Sequence, residues 1–158
     1  MKFWVKLIFF TISVLLVGDA FGLTRRYRLS LRDDPSSTIT IGWDQNGGNS
    51  PILYYGPIDY GQNWASYPTS QTEDRQVNAK GMDNRFVRLT GLTPNTIYYF
   101  VIKDTDGTSP RFWFKTTPMG NASPLSVIAG GDSRAYLDNS PRQNANKMVA
   151  KLRPDFVL

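Results

Sequence analysis

Short runs of alternating apolar and polar residues occupy most of the chain between Leu23 and Pro118. Residues 27–31 and 39–43 both alternate in this way, and a turn-forming sequence at 33–37 separates them. A period of two is typical of a strand with one buried face, so these runs predict the first two strands. Further strand-like runs lie at 52–56, 77–79, 86–89, 97–102 and 112–114. Short strands joined by turns, with no helical period between them, predict an antiparallel β-sandwich.

The stretch 57–72 is rich in turn-forming residues, and its pattern predicts an irregular loop. Five aromatic residues lie in or beside this loop: Tyr54, Tyr55, Tyr60, Trp64 and Tyr67. Loops on a rigid sandwich often carry contact surfaces. A binding role and simple packing therefore both remain open for these side chains.

The character of the sequence changes at 119–124, where proline, glycine and small polar residues indicate a linker. The apolar, β-branched run 125–129 that follows is typical of an interior parallel strand. Residues 156–158 have the same character and predict a second strand. With a helix between the two strands, 125–158 is predicted to be one right-handed β-α-β unit, the truncated start of an α/β domain.

The helix of this unit has both a start signal and a stop signal. Ser140 can cap it with Pro141 at the first helical position, and Pro154 ends it. Apolar residues recur at helical spacing, at Ala145, Met148, Val149 and Leu152. This stripe predicts a helix that packs one face on a sheet.

Asp132 follows the strand 125–129, after two glycines that allow a sharp turn. In open α/β sheets, ligands bind at the carboxyl ends of the strands, so this carboxylate is a candidate metal ligand. Aspartate also caps helices and turns, and the position alone does not decide between these roles. The sequence contains no histidine and no cysteine, whereas hydrolytic metal centres usually include imidazole ligands. We therefore expect that these residues alone bind metal poorly.

The formal net charge of +5 is modest. Four arginines crowd the start of the predicted sandwich: Arg25, Arg26, Arg28 and Arg32. They could contact an anionic surface, but we favour the interpretation that they protect a solvated edge strand by charge. No basic stripe interleaved with aromatic residues, of the kind that nucleic-acid-binding proteins use, runs through the chain. We therefore predict no nucleic-acid partner.

Residues 1–22 have the features of a secretory signal peptide. Lys2 and Lys6 flank the start of an apolar run at 7–17, and the small residues Ala20 and Gly22 follow it. The run is shorter than the ~20 residues that a membrane span needs. Cleavage after Gly22 is therefore favoured over an uncleaved anchor. We expect a secreted protein that has no membrane association after cleavage.

The sandwich resembles a fibronectin type III-like domain, on the evidence of residues 39–43, 89–100 and 112–116. The second of these segments contains the pattern Leu-x-x-Leu-x-Pro-x-Thr-x-Tyr. In that family, the tyrosine hydroxyl bonds back to the turn backbone, and Tyr98 stands at the matching place. The resemblance implies that Trp43 belongs to the core and Tyr98 to this corner, and that neither is a binding platform.

The order of the whole chain resembles the purple acid phosphatases and related calcineurin-like metallophosphoesterases. The features that carry this resemblance are the fibronectin-like domain, the linker, a strand that ends in Gly-Asp, a helix and the strand of 155–158. The resemblance implies that Asp132 is the first metal-binding aspartate of a phosphate-ester hydrolase. It also implies two metal ions in the full-length enzyme, iron with zinc, manganese or iron, and a second Gly-Asp beyond Leu158. No catalytic residue is assigned within these 158 residues, and the fragment alone is expected to be inactive.

Arg134 departs from the resemblance, because many members of that family have glycine or histidine there. A guanidinium group at this place could hold two phosphate oxygens, which makes Arg134 a candidate substrate-binding residue. The alternative is an ion pair with Asp138 or a loop contact, and we favour this alternative slightly.

These expectations divide the chain into a signal peptide at 1–22, a fibronectin type III-like domain at 23–118, a linker at 119–124 and a truncated metallophosphoesterase domain at 125–158. A secreted binding or adhesion module without catalysis is the alternative function, and a non-functional fragment is a third. The coding sequence after Leu158 distinguishes these functions. The enzyme is supported if that sequence contains a second Gly-Asp, a Gly-Asn-His and a Gly-His-x-His.

Overall fold

The computed structural model describes residues 24–120, 126–130, 140–152, 154 and 156–157. Eight of its strands form two antiparallel sheets of four strands each, in the orders β1-β2-β6-β5 and β4-β3-β7-β8. Their bounds are β1 Thr24–Ser30, β2 Ile39–Gln45, β3 Ile52–Gly56, β4 Thr69–Thr72, β5 Arg75–Ala79, β6 Met82–Leu89, β7 Ile97–Lys103 and β8 Phe112–Lys115. This architecture confirms the predicted fibronectin type III-like sandwich.

One core joins the inner faces of the two sheets. Its buried residues come from both sheets: Ile39, Ile41 and Trp43 on β2, Val87 and Leu89 on β6, Leu53 on β3, Phe100 and Ile102 on β7, and Phe114 on β8. Trp43 has no exposed surface, and its Nε1–H donates to Gln45 Oε1 over 2.7 Å. A buried indole needs such an acceptor, so the predicted core role of Trp43 is confirmed.

Tyr98 forms the predicted corner at the start of β7. Its hydroxyl accepts a hydrogen bond from the backbone N–H of Thr93 over 3.0 Å. The ring stacks on Phe114, with centroids 5.5 Å apart and an interplanar angle of 16°. The side chain thus ties the turn before β7 to the core, which confirms its structural role.

Replacement of Tyr98 by Phe is expected to lower the free energy of unfolding by about 1 kcal/mol, because the Thr93 N–H then loses its acceptor. Urea unfolding of the two proteins measures this difference. A variant as stable as the parent would show that the hydroxyl contributes nothing to the corner.

The region 57–72 is more ordered than its sequence predicts. A single 3-10 turn, Trp64–Ser66, lies within it, and strand β4 closes it by pairing with β3 in the register Tyr55 to Thr69. The prediction of an irregular loop throughout was therefore wrong for β4. Its sequence, Thr-Ser-Gln-Thr, has no apolar residue, and pairing with β3 alone defines the strand.

The carboxyl-terminal segment contains the predicted β-α-β order. Strand β9 is Val127–Ile128, helix α1 is Ser140–Leu152, and strand β10 is Phe156–Val157. Strands β9 and β10 pair in parallel, as predicted. Val127, Met148 and Leu152 are largely exposed, because the sheet has just two strands within the described residues. The predicted burial of these side chains on a sheet is therefore not seen here.

No helix among the described residues has both the length and the apolar character needed to span a membrane.

Candidate functional site

The two site residues predicted from the sequence, Asp132 and Arg134, lie outside the described residues. So does Asp138, the alternative partner of Arg134. The structure describes the strand that leads toward Asp132, β9, and the two residues that follow it, Ala129 and Gly130. The roles of Asp132 and Arg134 therefore stay predictions.

The described residues do not fit a two-metal centre. They contain no group of three or more His, Cys, Asp or Glu side chains that could hold a metal ion. The full sequence has no histidine and no cysteine at all. A dinuclear centre needs several ligands from different elements, so the described part of the chain does not supply one.

A cleft of about 460 Å³ lies on the outer face of the β1-β2-β6-β5 sheet. Thr40, Phe86 and Arg88 point into it because they alternate along β2 and β6 with buried core residues. The complete lining is Arg32, Asp33, Thr40, Asp74, Arg75, Phe86 and Arg88. Three guanidinium groups and two carboxylates therefore surround one aromatic ring.

Phe86 lies in a row of residues that crosses all four strands of this sheet. The pairings Arg28 to Gly42, Gly42 to Phe86 and Phe86 to Arg75 define the row. The guanidinium carbons of Arg75 and Arg28 lie 4.3 Å and 5.6 Å from the centroid of the Phe86 ring. At exposed sites such cation–π contacts contribute about 0.5–1 kcal/mol each. The ring thus holds two arginines in fixed positions.

Gly42 leaves the space that the ring of Phe86 occupies. A Cβ atom added at Gly42 would lie 2.9 Å from two carbons of that ring, which is closer than carbon atoms pack. A larger residue on β2 would therefore displace Phe86 from its place beside Arg75. The placement of Phe86 beside Arg75 therefore requires glycine at position 42.

Both carboxylates of the cleft bond to Arg88. The backbone N–H of Arg88 donates to Asp74 Oδ2 over 2.7 Å, and its Nη2 donates to the carboxylate of Asp33. Asp74 is held further by its own N–H, which donates to the carbonyl of Phe86 over 3.0 Å. Within the described residues, Arg32 and Arg75 form no ion pair with a carboxylate. The cleft therefore has two guanidinium groups without an ion pair in the described part of the chain, and its three guanidinium groups exceed its two carboxylates by one positive charge.

The prediction of a charged edge strand is confirmed for Arg25 and Arg26. Strand β1 is an edge of its sheet, and Arg25 Nε lies 2.9 Å from the carboxylate of Asp44. Arg26 Nη1 lies 3.5 Å from the same oxygen. Arg28 instead belongs to the row that contains Phe86, and it donates to Asn84 Oδ1 over 2.7 Å. Arg32 lines the cleft, so the four arginines do not share one role.

The aromatic residues around 57–72 mostly pack together. Tyr67 is buried, its hydroxyl donates to the carbonyl of Gly61 over 2.9 Å, and burial raises its pKa. Tyr60 packs edge-on against Tyr67 at 5.5 Å, and Tyr54 contacts Trp64 at 5.0 Å. Tyr55 packs against the core. These contacts favour packing over a binding role for this group, although Tyr60 and Trp64 keep some exposure.

The other sheet carries a comparable stacked arginine. Arg111 lies with its guanidinium carbon 5.3 Å from the centroid of the Tyr99 ring, and its Nη2 is 3.1 Å from the carboxylate of Asp59. Arg111 is therefore neutralised by a partner, which distinguishes it from Arg75.

Sequence reasoning predicted Phe86 as a strand residue and missed its role in the cleft. One signal was present, because a buried Val87 and Leu89 force Phe86 and Arg88 outward on the same strand. The cross-strand neighbours Gly42 and Arg75 depend on strand register, which alternation alone does not give.

The sequence matches one family model, described as the purple acid phosphatase N-terminal domain, over residues 24–116. The match covers more than half of the chain and coincides with the sandwich. A comparison with curated proteins gave no match.

Solved structures of longer proteins include domains with a similar fold. A purple acid phosphatase isolated from yellow lupin (Lupinus luteus) seeds is 16% identical, with a TM-score of 0.55 over 73% of this chain and 24% of that one. The protein PhoD is 18% identical, with a TM-score of 0.53 over 79% of this chain and 25% of that one. At these identities the likeness shows the fold alone. The chain spans about a quarter of the length of each of these two proteins.

Proposed function

The chain belongs to the family of purple acid phosphatase N-terminal domains, and from this membership we propose that it is the amino-terminal part of a secreted phosphatase that hydrolyses phosphate monoesters. The observation that carries the proposal is the family match over residues 24–116, followed in the chain by a parallel β-α-β unit. The sandwich fold by itself would not support a phosphatase, because sandwiches of this kind serve many functions.

In this proposal the sandwich does not perform the chemistry. The catalytic centre would need two metal ions, which activate water and stabilise charge on the phosphoryl group when they are bound. Asp132 would be one ligand to these ions, and Arg134 would hold phosphate oxygens. The remaining ligands would come from residues beyond Leu158. The secreted location rests on residues 1–22, which lie outside the described residues.

The 158-residue chain is expected to hydrolyse no phosphate ester, whereas a longer protein that continues past Leu158 is expected to be active. The reason is that Asp132 is the single metal ligand proposed within these residues, which include no histidine and no cysteine, whereas a dinuclear centre needs several ligands. Both proteins are expressed in a secreting host and collected from the medium, with Leu23 expected as the first residue. Hydrolysis of 4-nitrophenyl phosphate and the bound metal content are then measured.

Hydrolysis by the 158-residue chain itself would contradict the proposal, and so would a longer protein that is folded but contains no metal and has no activity. Retention of both proteins inside the cells would contradict the secreted location alone.

A further inference from the structure

We infer that the cleft on the β1-β2-β6-β5 sheet is a binding site for a phosphate monoester group. The inference rests on the lining of the cleft and does not depend on the proposed phosphatase function.

The first reason is uncompensated positive charge. Arg32 and Arg75 line the cleft and form no ion pair with a carboxylate in the part of the chain that the structure describes. Arg88 adds a third guanidinium, although it shares its charge with Asp33. The three guanidinium groups of the cleft exceed its two carboxylates by one positive charge, which attracts an anion. The two unpaired guanidinium groups can each donate to oxygens of a phosphate ester.

The second reason is that Arg75 is positioned before any ligand arrives. Its guanidinium carbon lies 4.3 Å from the Phe86 ring centroid, and Arg75 pairs directly with Phe86 across β5 and β6. A stacked guanidinium keeps its N–H edge free to donate. Less side-chain freedom is then lost when an anion binds, which favours binding.

The third reason is that the negative groups in the cleft already have partners. Asp74 accepts the Arg88 backbone N–H over 2.7 Å, and Asp33 accepts a bond from the Arg88 side chain. These bonds fix both carboxylates, and the ion pair with Arg88 offsets the charge of Asp33. Asp74 keeps its negative charge, because the backbone N–H that it accepts is neutral. The hydroxyl of Thr40 makes no hydrogen bond within the described residues and can donate to a phosphate oxygen.

The fourth reason is size. A volume of about 460 Å³ falls in the range of small-molecule sites, ~300–1,000 Å³. The cleft therefore has room for the organic group of an ester beside its phosphate. The exposed part of the Phe86 ring offers that group an apolar surface. A phosphate monoester consequently fits the cleft better than free phosphate.

The test uses the 158-residue chain with O-phosphoserine as the ligand. Addition of this ester at constant ionic strength is expected to produce saturable NMR shifts of backbone amides on β2, β5 and β6. Serine without phosphate is expected to produce none, and inorganic phosphate is expected to bind more weakly than the ester. A phosphoserine peptide then distinguishes a protein-borne ester from a small soluble one: tighter binding of the peptide assigns the former source, and equal or weaker binding the latter.

Variants at the two free arginines test the assignment. Arg75→Gln and Arg32→Gln are each expected to weaken O-phosphoserine binding by about 10-fold or more, because each removes a charge-assisted hydrogen bond. Arg75→Lys keeps the charge but loses the stacked planar fork, so an intermediate loss is expected. The matched control is Arg111→Gln, which removes the same charge from a stacked arginine on the other sheet and is expected to leave binding unchanged.

Three results would overturn the inference. The first is the absence of saturable shifts, and the second is a set of shifts that maps outside the cleft. The third is an equal loss of affinity in Arg75→Gln and Arg111→Gln, since this would indicate non-specific attraction by net charge. Urea unfolding of each variant verifies that the sandwich remains folded.

Discussion

Replacement of Asp132 by Asn in the longer protein is expected to abolish metal binding and phosphatase activity together. An amide lacks the negative charge that fixes a metal ion, while its shape stays close to that of the carboxylate. Loss of groups that merely support a metal ligand typically costs ~10–100-fold in affinity or activity, so loss of a ligand itself is expected to cost at least about 100-fold. Bound metal and the rate of 4-nitrophenyl phosphate hydrolysis are the quantities to measure.

The control for this experiment is the stability of the sandwich. Asp132 lies outside the family match at residues 24–116, so its replacement should leave the unfolding of the sandwich unchanged. Asp155→Asn is a matched variant, because this aspartate also belongs to the carboxyl-terminal segment and has no proposed ligand role. Full activity in Asp132→Asn would contradict the assignment, and equal losses in both variants would make the effect a structural one.

Replacement of Trp43 by Ala is expected to have the largest effect on stability. Trp43 has no exposed surface and lies in the core formed by both sheets. Removal of a buried tryptophan side chain typically costs about 3–5 kcal/mol, and domains are stable by only ~5–15 kcal/mol. Gln45 Oε1 would also lose the 2.7 Å hydrogen bond that it accepts from the indole N–H of Trp43. Urea unfolding followed by circular dichroism should show a much lower midpoint or an unfolded chain.

Trp113→Ala is the matched control for Trp43→Ala. Trp113 is 55% exposed on β8, and exposed substitutions usually change stability by less than about 0.5 kcal/mol. A similar loss in the two variants would contradict the placement of Trp43 in the core. A loss below about 1 kcal/mol in Trp43→Ala would do the same.

The fold was largely predictable where local sequence and burial agree. The alternation at Ile39, Ile41 and Trp43 correctly predicts strand β2 and the residues that face the core, although the intervening residues of this central strand are buried as well. The turn pattern before Tyr98 marks the corner. Strand β4 could not be predicted, because its residues form a strand only by pairing with β3. A strand defined by its neighbour has no signal of its own.

The cleft was less predictable than the fold because it depends on strand register. Arg28, Gly42, Phe86 and Arg75 are distant in sequence and become neighbours only through three strand pairings. Alternation gives the face on which a residue lies but not its partner across the sheet. The cleft was found from the structure and not from the sequence. For the proposed metal ligand the reverse holds, because family resemblance indicates Asp132 and the described residues do not include it.

Anomalous X-ray diffraction from crystals of the longer protein tests the central proposal most directly. The proposal predicts a carboxylate oxygen of Asp132 bonded to one of two metal ions, at about 2.0–2.2 Å in the case of zinc. Metal peaks that lie away from Asp132, with its carboxylate turned to solvent, would contradict the proposal.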